Sequence, residues 1–524
     1  MKTVYALVCL LLSSAFLYAQ EVAPQNPQKV APTDTIVPGK GTPEKQLKEI
    51  KKEKEKQLSD TTGNEPKKSA LVDTTVQNKY GDLLDDDTLY NKKYPLWIPL
   101  TEVFAANAFV FAMDRYLFKY DFSTSVSSES WKHNFKTGWE WDTDRFGINF
   151  IGHPYSGTMS FNAGRSNGYN YFQSASFAVA GSLMWEYVCE NTLPSYNDII
   201  NTPVNGAFIG EILYRLSSNV LDDRTRGISR VSRELLAGLI DPIRGLNRIV
   251  QGKTFRRTNK EVYQKEPLNV SLYAGIHKIN EGPKPEIEKG TNSEMLNIQF
   301  DYGNPFENRT RKPFDFFKLR TEFDFGVGRK ILSNITGYGI LFGKNVNYDK
   351  HSVLFGVFQY SDYWDNKTFE LGAIGFGGGI FSKLPISKTS DLYTNVHLGL
   401  IPFAGNSTRF GPDTTQFRDY NFGDGVEGKL ESTINLGKYG SASLIYYYYF
   451  IHTYVGLPGN NFIGILKPRV TVRLYRQLSI GFEHFIYYNN RMLQDYPAIH
   501  SVRTEQKIFL SLYLEDKQRR GHYN

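Results

Sequence analysis

Residues 317–325 read Phe-Lys-Leu-Arg-Thr-Glu-Phe-Asp-Phe, so charged side chains alternate with side chains that are apolar or, once, threonine. Because a strand places successive side chains on opposite faces of a sheet, this stretch predicts a β-strand with one apolar and one charged face. The same alternation recurs between residues 268 and 515. About twelve runs show it, and they start near Asn269, Glu294, Phe316, Arg329, Ser352, Thr368, Leu392, Gly425, Ala442, Asn461, Leu478 and Glu505.

The length and charge of these runs favour a barrel in a membrane over a soluble β-sandwich. Many runs reach about nine residues or more, which is enough to cross a bilayer when the strand is tilted. The charged faces suit a polar lumen, and aromatic residues such as Trp364, Tyr446 and Phe485 crowd the ends of runs, where interfacial girdles lie. We therefore predict an all-β transmembrane barrel of about 12 antiparallel strands over residues 261–524.

The composition excludes two other classes of protein. The chain has 524 residues, of which 40% are hydrophobic and 15% aromatic, and its net charge is +7. After the first twenty residues no apolar run reaches the ~18 residues of a transmembrane helix. Together with a mean hydropathy of −0.41, this excludes a bundle of membrane helices. The basic residues are dispersed among acids, so no nucleic-acid partner is predicted.

The amino-terminal residues predict export followed by a tether. Lys2, the apolar stretch 4–12 and small residues up to Ala19 predict a signal peptide over residues 1–20. Residues 21–93 are rich in Pro, Thr, Lys and Glu and lack an apolar face, which predicts a flexible, charged periplasmic tether. We expect the tether to contact peptidoglycan or periplasmic proteins and the barrel to contact outer-membrane lipid. The oligomeric state stays open.

Residues 94–260 show the helical period four times. The predicted helices span residues 100–119, 174–191, 204–219 and 230–251, and Pro242 is expected to bend the last one. Residues 131–171 are rich in Gly, Asn and aromatic residues, and we predict loops and short strands there. We expect this mainly α-helical domain either to plug the barrel lumen or to cap its periplasmic mouth.

Polar residues within this helical domain form a candidate catalytic site. The candidates are His153, Ser156, Glu186 and Glu190, because a hydroxyl nucleophile needs a base and an orienting carboxylate. Ser195 is a second candidate nucleophile. Such a set would hydrolyse or modify membrane lipid, but the sequence contains no diagnostic motif of the GxSxG or HExxH type.

Two alternatives to catalysis stay open for the same residues. In the first, these residues bind a divalent metal, although no motif requires a cofactor. The candidate ligands of this metal are His153, Glu186, Glu190 and Glu211. In the second, the acids are structural, because carboxylates on a buried helix are costly unless they are paired. That network would comprise Arg165, Asn167, Asp198, Glu211 and Arg215.

Several motifs in the helical domain carry a family resemblance. They are Trp141-Asp-Thr-Asp144, Asn149, His153-Pro-Tyr-Ser-Gly157, Arg165-Ser-Asn-Gly168, Trp185-Glu186, Glu190, Pro194-Ser-Tyr-Asn-Asp198, Thr202-Pro203 and Gly210-Glu211. In combination they resemble domain-of-unknown-function family 3943, from outer membranes of Gram-negative bacteria, often Bacteroidetes, over roughly residues 95–255. The resemblance implies an outer-membrane location and supplies no activity and no catalytic residues.

The sequence therefore leaves two functions open. The first is a structural, binding or transport-related role in the cell envelope, with the tether and the helical domain in the periplasm or in the barrel lumen. The second is a membrane-embedded hydrolase or a lipid- or glycolipid-modifying enzyme. An enzyme would bring His153 and a carboxylate together near open space, whereas a structural plug would bury and pair every such group.

Overall fold

A computed structural model of the chain describes residues 92–259, 261–280, 290–308, 311–326, 330–348, 351–366, 368–407 and 420–516. The predicted signal peptide and the predicted tether up to residue 91 lie outside the described residues. The described part of the chain consists of a helical region followed by a β-barrel.

Twelve antiparallel strands form the closed barrel. Each strand pairs with its neighbours in sequence, and β1 closes the sheet against β12, where Val270 lies opposite Leu514. The strands are β1 Leu268–Asn280, β2 Gly290–Tyr302, β3 Phe317–Asp324, β4 Leu332–Tyr348, β5 His351–Asp365, β6 Glu370–Ser387, β7 Ser390–Ser407, β8 Tyr420–Asn435, β9 Gly440–Val455, β10 Gly459–Tyr475, β11 Leu478–Leu493 and β12 Ile499–Leu514. The predicted barrel of about 12 strands is confirmed.

Charged side chains from one face of the strands fill the lumen. Arg320 of β3 lies 2.8 Å from Glu431 of β8, and Lys507 of β12 lies 2.5 Å from Glu322 of β3. Neither pair of strands is adjacent in the sheet. Side chains of non-adjacent strands meet only inside a barrel, so these four buried residues define the inward face. Ion pairs therefore cross the described lumen.

The opposite face of the strands is apolar and points outward. On β7 the inward His397 is fully buried, whereas its neighbour Leu398 is 72% exposed. On β12 the inward Lys507 is likewise buried and Ile508 is 53% exposed. The alternation read from the sequence thus separates a charged lumen from an apolar outer surface.

Eight α-helices precede the barrel in the described part of the chain. They are α1 Trp97–Ala112, α2 Asp121–Thr124, α3 Ser128–Thr137, α4 His153–Ser166, α5 Tyr171–Met184, α6 Tyr196–Val220, α7 Gly227–Ile240 and α8 Pro242–Val250. π-Helical segments continue α1 over Met113–Phe118 and α5 over Trp185–Cys189, and a third, Ile148–Gly152, leads into α4. The four predicted helices are confirmed as α1, α5, α6 and the α7–α8 pair, which is divided just before Pro242.

The prediction of loops and short strands for residues 131–171 is wrong, because this segment contains most of α3 and all of α4. Helix α4 is rich in small residues because it packs closely. A Cβ atom on Gly157 would lie 2.0 Å from the Thr202 carbonyl oxygen of α6, and one on Gly164 would lie 2.6 Å from the Phe177 ring of α5. Tertiary packing, rather than helix propensity, stabilises α4.

The helical region packs against the outside of the barrel. The hydroxyl of Tyr171 donates a hydrogen bond of 2.5 Å to Oε1 of Gln359 on β5, and Nε2 of Gln359 donates one of 2.9 Å to the Val204 carbonyl. Three residues further along β5, Asp362 points into the lumen and accepts a hydrogen bond from Lys429 of β8. The register of β5 with β6 has no bulge over these residues. Alternation therefore places Gln359 on the outer face.

A second contact shows the same arrangement. A Cβ atom on Gly372 of β6 would lie 2.1 Å from the Phe150 ring, and one on Gly405 of β7 would lie 2.4 Å from it. Because the two glycines have no side chains, the Phe150 ring packs directly against the outer wall at these positions. These described contacts of the helices are with the outer wall, and the predicted plug is not confirmed.

Several helices expose their apolar sides and bury their polar ones. In α8 the side chains of Leu246, Ile249 and Val250 are exposed, whereas Arg244 and Arg248 are buried. A helix that faces water has the reverse distribution. Helices α1 and α7 also expose large apolar side chains, namely Trp97, Leu100, Phe104 and Phe109, and Ile228, Val231, Leu235 and Leu239. None of the described helices is both long and apolar enough to span a membrane.

Candidate functional site

A polar cluster lies where the start of α4 and the start of α6 meet the barrel wall. His153 is the first residue of α4 and is followed by Pro154, a favourable residue at the first turn of a helix. Ser195 is the N-cap of α6, and its hydroxyl accepts a hydrogen bond of 3.2 Å from the Asp198 amide. The segment between α3 and α4 contributes Asp142 and Asp144.

His153 lies among aspartates in this cluster. Its Nε2 atom is 3.3 Å from Oδ2 of Asp144 and 3.8 Å from Oδ1 of Asp198. One ligand atom from each of Asp142, Asp144 and His153 lies within 4.8 Å of the other two. The Asp144 side chain is 44% exposed, whereas the side chains of His153 and Asp198 are 12% and 3% exposed. The cluster is therefore buried except at Asp144.

Amide and phenol groups fix the cluster in position. The side-chain amides of Asn149 and Asn197 donate hydrogen bonds of 2.9 Å and 2.7 Å to the two carboxylate oxygens of Asp142. The Tyr420 hydroxyl, at the start of β8, donates one of 2.7 Å to the Asp144 carbonyl. The barrel wall thus orients the loop that carries both aspartates.

The candidate serines do not form a catalytic pair with His153. The Ser195 hydroxyl donates a hydrogen bond of 2.6 Å to Oδ2 of Asp198, and the Ser195 amide donates one of 2.7 Å to Oε2 of Glu186. Among the described residues no hydrogen bond joins Ser156 or Ser195 to His153. A serine nucleophile needs such a bond to its base, so the geometry does not favour the predicted hydrolytic set.

Burial and mutual charge shift the pKa values in this cluster. Burial opposes protonation of His153, but the hydrogen bond and charge of Asp144, with the charges of Glu190 and Asp142, raise the pKa of His153 to about 9. Burial raises the pKa of Glu190 to about 7, against the charge of His153. Burial and the charge of Asp142 hold the pKa of Asp198 well above its usual value. At neutral pH His153 is therefore protonated and is itself the cation among these closely spaced acids.

Glu211 lies in a different network, which the structural alternative predicted. Its carboxylate accepts hydrogen bonds of 2.6 Å and 3.0 Å from Arg165 and one of 2.8 Å from Arg215. Arg215 also reaches Asp315, at 3.0 Å, in the connection before β3. Burial alone would raise the pKa of Glu211, but the two arginines hold it below its usual value. The Glu211 oxygens are thus bound by arginines.

The remaining predicted residues have local partners. Glu190 accepts hydrogen bonds from the Trp185 indole and, at 3.0 Å, from the Thr192 hydroxyl. Asn167 donates a hydrogen bond of 2.7 Å to Glu102 and accepts one of 2.8 Å from Gln251. Asn167 therefore ties the end of α4 to α1 and to the residue after α8.

Sequence reasoning missed the roles of Asp142 and Asp144. Both belong to the motif Trp141-Asp-Thr-Asp144, which carried the family resemblance but received no role. The available signal was a pair of carboxylates two residues apart, followed nine residues later by His153. That signal lay within a segment predicted to be loops and short strands, so nothing indicated that the three side chains converge.

A second site that the sequence did not predict is a pocket lined by basic residues. The pocket is small, with a cavity volume of about 30 Å³, and its lining includes Arg244, Arg248, Lys253 and Arg256. Arg248 and Arg256 form ion pairs with Asp223, at 3.1 Å and 2.6 Å. Among the described residues, Arg244 and Lys253 have no carboxylate within ion-pair distance. We define these four lining cations as the basic pocket.

Charge is concentrated in the basic pocket. Burial and the neighbouring Arg256, Arg244 and Arg248 lower the pKa of Lys253 to about 8. The guanidinium group of Arg244 lies 4.0 Å from the centre of the Tyr214 ring and donates hydrogen bonds to the Tyr214 carbonyl and the Ser218 hydroxyl. Arg244 is thus held rigidly at the pocket wall.

The family resemblance is confirmed for part of the helical region. The sequence pattern of the family described as Domain of unknown function (DUF3943) matches residues 138–243. This segment runs from the loop before the aspartate pair to the start of α8 and includes His153, Asp198 and Glu211. No curated protein matches the chain.

Several solved structures are similar to part of this chain at low identity. The outer membrane channel DcaP of Acinetobacter baumannii is 7% identical, with 48% of this chain and 96% of that chain covered and a TM-score of 0.21. The COG4313 outer membrane channel from Pseudomonas putida F1 is 5% identical, with 48% and 95% covered and a TM-score of 0.26. The anion-selective porin from Comamonas acidovorans is 8% identical, with 48% and 99% covered and a TM-score of 0.22. Similarities this low carry no argument about function.

Proposed function

We propose that this protein resides in the outer membrane and binds an anionic lipid there. In this proposal the barrel is an anchor that holds the helical region at the lipid boundary. The observation that carries the proposal is the basic pocket: its arginines lie on the buried side of α8, and the opposite side of this helix exposes apolar side chains. The proposed role is of the binding class, and the enzyme alternative is not favoured, because among the described residues no serine is hydrogen-bonded to His153.

The outward-facing side chains support the membrane location. The outer face of the barrel carries a band of apolar residues that includes Leu398 on β7 and Ile508 on β12. The rings of Phe172 on α5 and Phe342 on β4 are both about half exposed and stack at a centroid distance of 5.7 Å. The apolar surface of the barrel therefore continues onto the helices. Contiguous apolar surface of this extent is unfavourable in water and favourable in lipid.

The filled lumen supports an anchoring role for the barrel. Besides the pair between Arg320 and Glu431, Lys429 of β8 lies 2.5 Å from Asp362 of β5. These buried pairs cross the lumen at more than one place. A transport role would require them to separate, and breaking a buried pair costs roughly 3–5 kcal/mol.

The basic pocket supports recognition of an anionic headgroup. Leu246, Ile249 and Val250 on α8 and Phe255 beyond it are exposed, and they suit acyl chains. Arg244 and Lys253 offer positive charge to the headgroup and, among the described residues, have no carboxylate partner. Arg and Lys recognise phosphate oxygens through charge-assisted hydrogen bonds. A phosphate-bearing lipid has a chemical group suited to each of these two surfaces.

Native mass spectrometry of the detergent-purified protein tests this proposal. We expect phosphatidylglycerol to remain bound to the intact protein more than phosphatidylcholine does. The double variant Arg244→Gln, Lys253→Gln should lose that preference, and the exposed Arg226→Gln serves as the matched control. Inorganic phosphate is added as a competitor, because strong competition would point to a free anion rather than a lipid. Equal binding of both lipids, or an unchanged preference in the double variant, would contradict the proposal.

A further inference from the structure

The polar cluster at the start of α4 is a second candidate binding site, separate from the basic pocket. We propose that Asp142, Asp144, His153 and Asp198 form a binding site for one divalent cation. The basic pocket is made of other residues, on α8 and the segment after it, so cation binding and lipid binding can fail independently.

The spacing of the ligand atoms fits a cation. Asp142, Asp144 and His153 each offer one atom, and all three atoms lie within 4.8 Å of one another. Carboxylate oxygens bind Ca²⁺ at about 2.3–2.6 Å and Mg²⁺ at about 2.0–2.1 Å. Two ligands on opposite sides of such an ion are therefore roughly 4–5 Å apart. The three atoms can contact one ion without large rearrangement.

Asp198 provides a second, independent observation. This residue is 2% exposed, and its Oδ1 atom has no hydrogen-bond partner among the described residues. That oxygen points toward the cluster, at 3.8 Å from Nε2 of His153. A buried carboxylate oxygen without a hydrogen bond is costly. A bound cation would satisfy it directly or through a water molecule.

The surroundings of Asp142 resemble the outer shell of a metal site. Asn149 and Asn197 each donate to a different oxygen of its carboxylate, at 2.9 Å and 2.7 Å. Hydrogen bonds of this kind orient ligand carboxylates and leave further lone pairs for an ion. The exposed side chain of Asp144 provides the entry path.

The donor set indicates the class of cation. Three carboxylates favour hard divalent ions such as Mg²⁺, Ca²⁺ and Mn²⁺, and one imidazole extends the range toward Mn²⁺ and Zn²⁺. Among the described residues no lysine or arginine forms an ion pair with Asp144 or Asp198, whereas Glu211 in the same region is paired with two arginines. The basic partner of Asp144 and Asp198 is the imidazole of His153, which can lose its proton, whereas Glu211 is held by two arginines, which cannot. Mn²⁺ is the appropriate probe because it suits both donor types.

The test is a titration with MnCl₂. The full chain is first purified in detergent and freed of metal with EDTA. Free Mn²⁺ is followed by its electron paramagnetic resonance signal. We expect one Mn²⁺ per chain, displaceable by excess Ca²⁺ or Mg²⁺. Asp144→Asn and His153→Gln should each weaken binding by about tenfold or more, as loss of even an outer-shell partner does. Asp121→Asn, an exposed acid on α2, is the matched control.

The expected pattern supports the site only if the variants keep their fold. Asp144 is partly exposed, so its replacement by the isosteric Asn leaves the packing unchanged. A gel shift between boiled and unboiled protein reports the closed barrel in each variant. Absence of stoichiometric Mn²⁺ binding in the wild-type chain would overturn the proposal. Equal Mn²⁺ affinity in folded wild-type and Asp144→Asn chains would overturn it as well.

Discussion

The Tyr171 hydroxyl donates a 2.5 Å hydrogen bond to the Gln359 side chain on the face of β5 that points away from the lumen. Three residues further along β5, Asp362 faces inward and contacts Lys429. Because the two faces of one strand cannot both line the lumen, the helical region must lie outside the barrel. In the proposed membrane location, the exposed apolar side chains of these helices face lipid.

Gly372 tests the docking of the helical region onto the outer wall. We expect Gly372→Val to destabilise the docked helices by roughly 1–3 kcal/mol, because the new side chain must enter the space of the Phe150 ring. Limited proteolysis of residues 92–259 should become faster. Gly378→Val on the same strand is the control, since a Cβ atom there has no atom within 4 Å. Similar protease resistance in both variants would contradict the assigned contact.

Glu211 tests the buried arginine network. Glu211→Gln removes the negative charge between Arg165 and Arg215 and leaves two cations without their main partner. Loss of one partner from a buried pair costs roughly 3–5 kcal/mol, so the apparent melting temperature of the helical region should fall clearly. Glu129→Gln, at an exposed position on α3, should change it little. Circular dichroism at 222 nm measures both.

The pH dependence of stability tests the environment of His153. Its pKa is raised from 6.5 to about 9, so its stabilising contribution is fully present below pH 6.5 and is lost as the pH rises through 9. The pKa of Glu190 is also raised, to about 7, so its contribution to the stability of the fold is likewise lost as the pH rises, here between pH 4.5 and 7. In EDTA, the protein should therefore lose up to about 3 kcal/mol of stability between pH 6.5 and 9, at ~1.4 kcal/mol per pH unit.

The variant His153→Gln provides the control for this pH effect. It should be less stable than the wild type at pH 6, and its stability should change much less between pH 6.5 and 9. Chemical unfolding at fixed ionic strength measures the difference. A wild-type protein that gains stability over this range would contradict the assigned ion pairs.

Conductance tests the filled lumen. The wild-type protein in a planar bilayer should show no steady open-pore current, because buried pairs such as Arg320 and Glu431 cross the barrel. The double variant Arg320→Ala, Glu431→Ala removes both partners and should show measurable openings. A large, steady current through the wild-type barrel would contradict the account of the lumen.

The barrel could be predicted from the sequence because the alternation of inward and outward side chains is a local property of each strand. Residues 317–325 alternate strictly, and the structure places Lys318, Arg320, Glu322 and Asp324 on the inner face, as a two-residue period requires. The helical periods around α1, α5 and α6 are equally local. The number of strands followed from counting such runs.

The position of the helical region could not be predicted in the same way. Apolar periodicity identifies an apolar face but does not show whether protein or lipid covers it. The sequence of α8 is therefore compatible with a protein-covered face and with a lipid-covered face. Helix α4 was missed because its small residues serve contacts with α5 and α6 that only the fold reveals. Asp142 and Asp144 lie beside His153 only because the π-helical segment before α4 brings the start of α4 back to these two aspartates.

Oxygen accessibility of spin labels tests the central claim, that the helical region lies in lipid against the outer wall. Labels are placed at Leu235 on α7 and Ile249 on α8, in a chain in which Cys9 and Cys189 are replaced by Ala and which is reconstituted in a bilayer. Leu510 on the outer face of β12 is the lipid reference, and Lys388 in the turn between β6 and β7 is the water reference. We predict that both helical labels match Leu510, with high accessibility to oxygen and low accessibility to a water-soluble nickel chelate. Helical labels that match Lys388 would contradict the account.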